Sequence, residues 1–303
     1  MTIFLKKISL FALPILLLIF SFEGFLRHIP NDYTLKKTFL DQHSTMIQTL
    51  FLGSSHAYFG INPTYCSTNS FNASYVSQTL DCDVNILEKY DGKWNKLQYI
   101  VIPISYFTLF SKLETDVESW RVKNYMIYYG FHSSHKIKDY SEFLSSNFKT
   151  NVSKLYDYYY VHQNTISCSA LGFGLDYTSK TQKDLQKSGI DAAKRHTAND
   201  FTYFEANKSY LIELIQFAKT RHIKVFLFTP PAYFTYTNNL NQKQLNQTIA
   251  TAEALKSAND HVAYINFLSD STFIKSDFYD ADHLNDIGAK KLTETINAYF
   301  NNL

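Results

Sequence analysis

The chain has 303 residues, 45% hydrophobic and 18% charged, with a formal net charge of +2. That composition supplies a sizeable core and excludes global disorder. The near-neutral balance, with no basic run interleaved with aromatics, excludes a dedicated nucleic-acid binder.

Lys6 and Lys7 precede an apolar run from Ile8 to Phe22, and Glu23 and Arg27 follow it. The run alone is shorter than the ~20 residues of a spanning helix. Phe4, Leu5, Phe25 and Leu26 extend it at the interfaces. No clear small-x-small cleavage site precedes Asn31, so residues 1–30 are expected to be an uncleaved single-pass anchor rather than a removed signal segment. The basic flank comes first, which places 31–303 outside the cytoplasm. No cysteine follows the run, so a lipoprotein is not indicated. Cys66, Cys82 and Cys168 are read as free or buried thiols in preference to a Cys66–Cys82 disulfide. No Cys/His spacing resembles a zinc site.

Residues 27–48 read as a polar, partly helical connector. Thr49–Leu52 is a short buried strand, and Ser70–Ala73 closes a second. A helix is expected from Tyr75 to about Tyr90, with Val76, Leu80 and Leu87 at helical spacing and Asp91-Gly92 as its stop. Leu97–Ile104 is continuously apolar, as in a strand buried on both faces. From about 106 to 202 the alternation fades into an aromatic-rich, mostly helical insertion. It is read mainly as packing on itself and on the sheet, with a substrate wall or carbohydrate site as the alternative. The alternation then returns: a helix at Phe204–Arg221, a strand at Lys224–Thr229, a helix at Asn241–Ser257, a strand at Val262–Phe267 and a final helix from near Asp286. Strands alternating with amphipathic helices predict an α/β domain with a mainly parallel sheet covered on both faces.

Two segments carry candidate chemistry. The first strand stops at Gly53-Ser54-Ser55-His56, which puts hydroxyls at the carboxyl end of a sheet, where strand-to-turn nucleophiles sit. A serine hydroxyl needs a base to take its proton. His56 is adjacent and points elsewhere, so a distant histidine is the better expectation. Asp280-Ala281-Asp282-His283 lies before the last helix, with Asn285 or Asp286 as its N-cap. A carboxylate on the imidazole Nδ1 leaves Nε2 as a base. Asp280 can reach round in a turn, whereas Asp282 is expected to face away. The bland alternative is a serine-rich turn and a solvated, capped loop.

Taken together, Gly53-Ser54-Ser55 after the first strand and Asp280-x-x-His283 before the last helix, continued by Leu284-Asn285 and Gly288-Ala289, resemble the SGNH (GDSL-like) hydrolase superfamily. The resemblance covers roughly 49–105 and 204–303. It implies a flavodoxin-like three-layer sandwich, with Ser55 as nucleophile, His283 as base and Asp280 as the acid that orients it, and no metal or cofactor. Ser54 stands where the family has aspartate and would hydrogen-bond the turn backbone as that aspartate does. The family's Gly-x-Asn-Asp block has no clear counterpart. By position, Gly53, Asn72 and Ser105 are left to assist the Ser55 N–H in holding an oxyanion. With the N-terminal apolar segment, the chain resembles the divergent membrane-anchored envelope branch. That branch includes the D-alanine transfer protein of teichoic acids and polysaccharide O-acetylation proteins. It implies acyl transfer onto, or removal from, an envelope glycan, commonly with a membrane-embedded acyl donor protein as partner. The rival from another class is a catalytically inactive SGNH fold that binds glycan or scaffolds an envelope complex. A nucleotide binder at Gly53 would lack its glycine-rich loop and Lys-Ser/Thr pair.

A reporter fused after Leu303 should be active only outside the cytoplasm. Cytoplasmic activity of that fusion would reverse the topology and remove the envelope as the place of action.

Overall fold

The structure is a computed structural model that describes residues 2–300, with the backbone alone at residues 2, 3, 5 and 7–9. The side chain of Lys7 therefore lies outside the described residues. Helix α1 (Thr2–His28) carries the apolar run without interruption. Its segment Leu10–His28 is long and apolar enough to span a membrane. The elements that follow are α2 (Asp32–His43), β1 (Thr49–Phe51), α3 (Ser55–Tyr58), β2 (Ser70–Asn72), α4 (Leu80–Lys89) and β3 (Tyr99–Pro103). Then come α5 (Val122–Asn124), α6 (Phe148–Tyr159), α7 (Leu185–His196), α8 (Phe204–Thr220), β4 (Lys224–Thr229), α9 (Phe234–Thr237), α10 (Gln242–Ser257), β5 (Val262–Asn266) and α11 (Asp286–Phe300).

The chain divides into two compact units. One holds residues 38–116 and 167–303 and contains a single sheet of order β2-β1-β3-β4-β5. Every pairing is parallel, with Leu50 beside Phe71 and Ile100, Ile100 beside Val225, and Leu227 beside Tyr264. This is the flavodoxin-like order expected, with its topological switch point between β1 and β3. Successive strand residues face opposite layers. Phe51, Val101, Phe226 and Phe228 pack on Leu292, Ile296 and Phe300 of α11. The alternate residues Leu50, Ile100, Ile102 and Leu227 are equally buried and face the other layer. On that side Leu211, Leu214, Ile215 and Ala218 of α8 supply the apolar stripe.

The other unit holds 1–37 and 117–166. In it α6 lies against α1: Phe22 stacks on Phe148 and meets Phe143 edge-on, and the Tyr159 hydroxyl donates to the Phe25 carbonyl. The glutamate that ends the apolar run, Glu23, accepts from the Ser141 hydroxyl and from the N–H groups of Glu142 and Phe143. The insertion read at 106–202 thus falls into two parts. Residues 117–166 belong with α1, while 167–202 belong with the sheet.

Most element ends fall within a residue or two of the sequence reading, and two of the differences have a clear local cause. Helix α4 begins at Leu80, not Tyr75, because Tyr75 opens a turn that the Gln78 N–H closes and Ser77 sits at φ 60°. Strand β1 stops at Phe51 because Gly53 turns the chain at φ 102°. A Cβ at Gly53 would also lie 2.7 Å from Pro103 Cδ. Gly53→Ala should therefore destabilise the protein by roughly 1–3 kcal/mol, read as a lower denaturant midpoint; an unchanged midpoint would mean the turn is not under this constraint.

Candidate active site

The turn after β1 is held from below. The Gly53 N–H donates to Asp83 Oδ1 at 2.8 Å, and Gln78 Nε2 donates to the same oxygen at 2.5 Å. Asp83, in the first turn of α4, is fully buried, and burial raises its pKa to about 7 against those two hydrogen bonds. Ser54 is buried, but its hydroxyl has no hydrogen-bond partner. This corrects the expectation that Ser54 would bond the turn backbone. Asp83 already occupies the Gly53 N–H, so a carboxylate from another element performs that task.

Ser55 is the first residue of α3, and its Oγ lies 2.8 Å from His283 Nε2. His283 comes from the loop between β5 and α11. A bridge between Phe278 and Leu284 fixes that loop, and so does Asn285. The Asn285 side chain donates to the carbonyls of Ser276 and Phe278 and accepts from the N–H groups of Ile287 and Gly288, so Asn285 is the N-cap. His283 Nδ1 is 3.0 Å from Asp280 Oδ1, which also accepts the backbone N–H of His283 and of Asp282. In the neutral imidazole, with Nδ1–H on the carboxylate, Nε2 accepts from the Ser55 hydroxyl. Ser55, His283 and Asp280 therefore form one hydrogen-bonded line.

Asp282 does not face away. It is buried, and its Oδ2 lies 3.5 Å from His283 Nδ1, 3.6 Å from His56 Nε2 and 3.7 Å from His196 Nδ1, with no hydrogen-bond partner of its own. The Asp280 turn directs the next carboxylate inward. His56 Nδ1 is bonded to Ser105 Oγ at 2.7 Å, and His196 Nδ1 to the Tyr236 hydroxyl at 3.0 Å. The Phe107 ring lies 5.4 Å from the His56 ring and 4.4 Å from the His196 ring, centroid to centroid. A stack of Phe59, Tyr177 and Tyr279 stands beside His283, with Tyr177 edge-on to its ring.

The charges separate within this cluster. Burial lowers the pKa of His56, and lowers His196 to about 3, so both are neutral. Burial would also lower His283, but the Asp282 charge, then the Asp280 charge, push it up to about 10. Burial would raise Asp282, yet the His283 charge holds that carboxyl well below the usual range. Among the described residues, His56, Asp282 and His283 are the one group offering metal-ligand atoms within 4.8 Å of one another. An ion there would compete with Ser55 and Asp280 for His283.

The auxiliary oxyanion residues do not fit that role. Asn72 is fully buried, and its amide donates to the carbonyls of Ala57 and Ile61 while its oxygen accepts from the Ser74 N–H and hydroxyl. It has no donor left. The Gly53 N–H is held by Asp83, and the Ser105 hydroxyl by His56. The hydrogen bonds of α3 begin at the Ala57 N–H, so the N–H of Ser55 is the donor at hand.

Sequence reading missed His196, Asp83 and Tyr177. The signal for His196 was the amphipathic run 185–196, hidden in a stretch read as irregular. Asp83 and Tyr177 reach the site from other elements and carry no local signature.

No protein-family profile and no curated protein matches the chain. Among solved structures it is similar to a Bacteroides fragilis protein provisionally described as an acylhydrolase, at 10% identity and TM-score 0.41, over 86% of this chain and 95% of that one. It is also similar to a Streptococcus pneumonia protein provisionally described as a platelet activating factor, at 10% identity and TM-score 0.44, over 95% and 98%. The strand order and the site distances stand independently of either likeness.

His283 should titrate above an ordinary imidazole in NMR of the free protein. Asp282→Asn and Asp280→Asn should each bring it down, Asp282→Asn by more, because its charge is the larger upward influence. The reverse order would mean that Asp280 alone sets the base.

Proposed function

We propose that the protein is an SGNH-like serine esterase or O-acyltransferase, anchored by α1, that acts on an ester of a cell-envelope glycan through an acyl-enzyme. One observation carries the reading: the Ser55 Oγ to His283 Nε2 distance of 2.8 Å, with Asp280 on the far side of the imidazole at 3.0 Å. Ser55 attacks the ester carbonyl, and His283 takes its proton. The Ser55 N–H holds the developing oxyanion. His283 returns the proton to the departing alcohol, leaving the acyl group on Ser55. Water or a sugar hydroxyl, deprotonated by His283, then releases the acyl group as acid or as a new ester. A membrane-embedded acyl donor protein is the partner that would load the enzyme in a transfer pathway. Asp280 and Asp282 favour the imidazolium that forms in each step. Because His283 must be neutral to accept a proton and its pKa is raised, the rate should climb with pH up to that raised pKa.

A second reading, an inactive SGNH fold that binds glycan or scaffolds an envelope complex, is favoured by the engaged donors of Asn72 and Gly53. Losing one oxyanion donor can cost about 10²–10³ in rate. Labelling with a fluorophosphonate and hydrolysis of a small activated ester separate the two. Ser55→Ala should abolish labelling and, like His283→Ala, cut turnover by at least about 10³-fold. Ser54→Ala should keep labelling. Turnover unaffected by Ser55→Ala in folded protein would sink the enzymatic reading.

A further inference from the structure

In the unit formed by 1–37 and 117–166, α6 meets α1 over a single turn of α1. Phe22 stacks on Phe148 at 5.8 Å between ring centroids, and Phe25 meets Tyr159 edge-on at 5.9 Å. At 1.5 Å per residue, Phe22 and Phe25 are about 4.5 Å apart along α1, whereas Phe148 and Tyr159 are about 16 Å apart along α6. Helices running side by side pair residues of equal rise. These two do not, so α6 crosses α1 steeply.

The crossing has a fixed height. The segment of α1 long and apolar enough to span a membrane ends at His28. Phe25 and Phe22 lie roughly 4.5 and 9 Å before that end along the helix axis. An interfacial helix buries its apolar face about 5–10 Å deep at the headgroup boundary, which is the same depth. Polar contacts hold the entry to α6 at this level. Glu23 accepts from the Ser141 hydroxyl and from the N–H groups of Glu142 and Phe143, and the Arg27 guanidinium donates to the Tyr140 carbonyl at 2.6 Å.

The surface of α6 fits that placement. At 100° per residue, Phe148, Val152, Leu155, Tyr156 and Tyr159, with Tyr160 just past the helix end, fall within an arc of about 140°. Thr150, Ser153, Lys154 and Asp157 fall outside it. Lys149 alone interrupts the arc, near its edge, where a lysine stem can lie along apolar surface while its ammonium reaches water. Phe148, Val152, Tyr156 and Tyr160 are 65%, 42%, 54% and 74% exposed. Val152, Tyr156 and Tyr160 also line, with Phe22 and Phe25, an apolar groove of about 410 Å³, so the apolar surfaces of the two helices are continuous. A stripe of this kind on an amphipathic helix is what a bilayer surface receives, with tyrosine hydroxyls reaching the headgroups. Another protein covering the stripe would have to stand beside the last apolar turns of α1, where acyl chains already lie.

We propose that α6 is an in-plane membrane helix, seated in the same bilayer face from which α1 emerges, with its aromatic arc among the acyl chains and Thr150 and Ser153 toward water. The proposal rests on the reading of α1 as a membrane anchor and is independent of the chemistry at Ser55.

The test uses the full chain in nanodiscs of phosphatidylethanolamine and phosphatidylglycerol. In the unaltered protein, Tyr156 and Tyr160 should be protected from oxidation by hydroxyl radicals, whereas Tyr210 on the sheet-bearing unit, 37% exposed, should be oxidised. In separate chains, photoreactive benzoylphenylalanine replaces Leu13 of α1, Tyr156 or Thr150. Irradiation should give lipid adducts at positions 13 and 156, detected by mass spectrometry, and a loss of adducts to background at 150. Tyr156 and Tyr160 oxidised as readily as Tyr210 would overturn the in-plane helix while leaving the anchor standing. So would lipid adducts at position 13 with none at 156, equal adducts at 156 and 150, or position 156 joined to a second copy of the chain. No lipid adduct at position 13 would overturn the anchor and the in-plane helix together.

Discussion

The hydrogen bond between Ser55 and His283 joins residues 228 positions apart, and much of the sheet-bearing unit can be understood as what makes it possible. It requires β1 and β5 to end at the same edge, which an all-parallel sheet guarantees and an antiparallel one would not. It requires the chain to leave β1 in a sharp turn, which Gly53 permits at a point where Pro103 leaves no room for a Cβ. It requires that turn to be held, and Asp83 holds it. On the other side it requires His283 to be delivered from a loop, which Asn285 pins by binding both the preceding backbone and the first turn of α11.

The electrostatics around that bond are unusual in having two carboxylates for one imidazole. Asp280 is the partner with hydrogen-bond geometry, while Asp282 is the deeper charge. An ionised carboxylate in a buried site is costly unless opposite charge lies close. Here the compensating charge is on His283, because His56 and His196 are kept neutral by their own burial. The two outer imidazoles are fixed by Ser105 and Tyr236 and so line Asp282 with dipoles rather than ions. Perturbed groups clustered at the end of a sheet are what a catalytic site looks like in physical terms, which adds weight to the serine chemistry beyond the three residues of the line.

The abundance of aromatics resolves into separate uses. In the sheet-bearing unit, Phe226, Phe228 and Phe300 fill the layer under α11, and the Phe59–Tyr177–Tyr279 stack walls the site. In the unit around α1, rings from α6 pack on Phe22 and Phe25 or remain exposed. An aromatic can satisfy both demands because its face is apolar and a tyrosine edge can still reach a hydrogen-bond partner.

The sequence by itself determined the α/β alternation, the mainly parallel sheet and the two segments that carry the candidate chemistry. Periodicity and turn residues are local properties, and Gly53-Ser54-Ser55 and Asp280-x-x-His283 are contiguous blocks. The apolar length of α1 was legible for the same reason. What only the tertiary structure decided were the pairings across gaps. Asn72 looked available as a donor because a sequence does not show that the carbonyls of Ala57 and Ile61 have already claimed its amide. Asp282 looked as if it would face away from His283 because adjacent side chains diverge, yet the turn made by Asp280 points it at three imidazoles. Asp83 and His196 reach the site from α4 and α7, whose own sequences explain only why they are helices. Hydrogen bonds and charge compensation are made between surfaces brought together by burial, so they become defined only when the chain has folded around them.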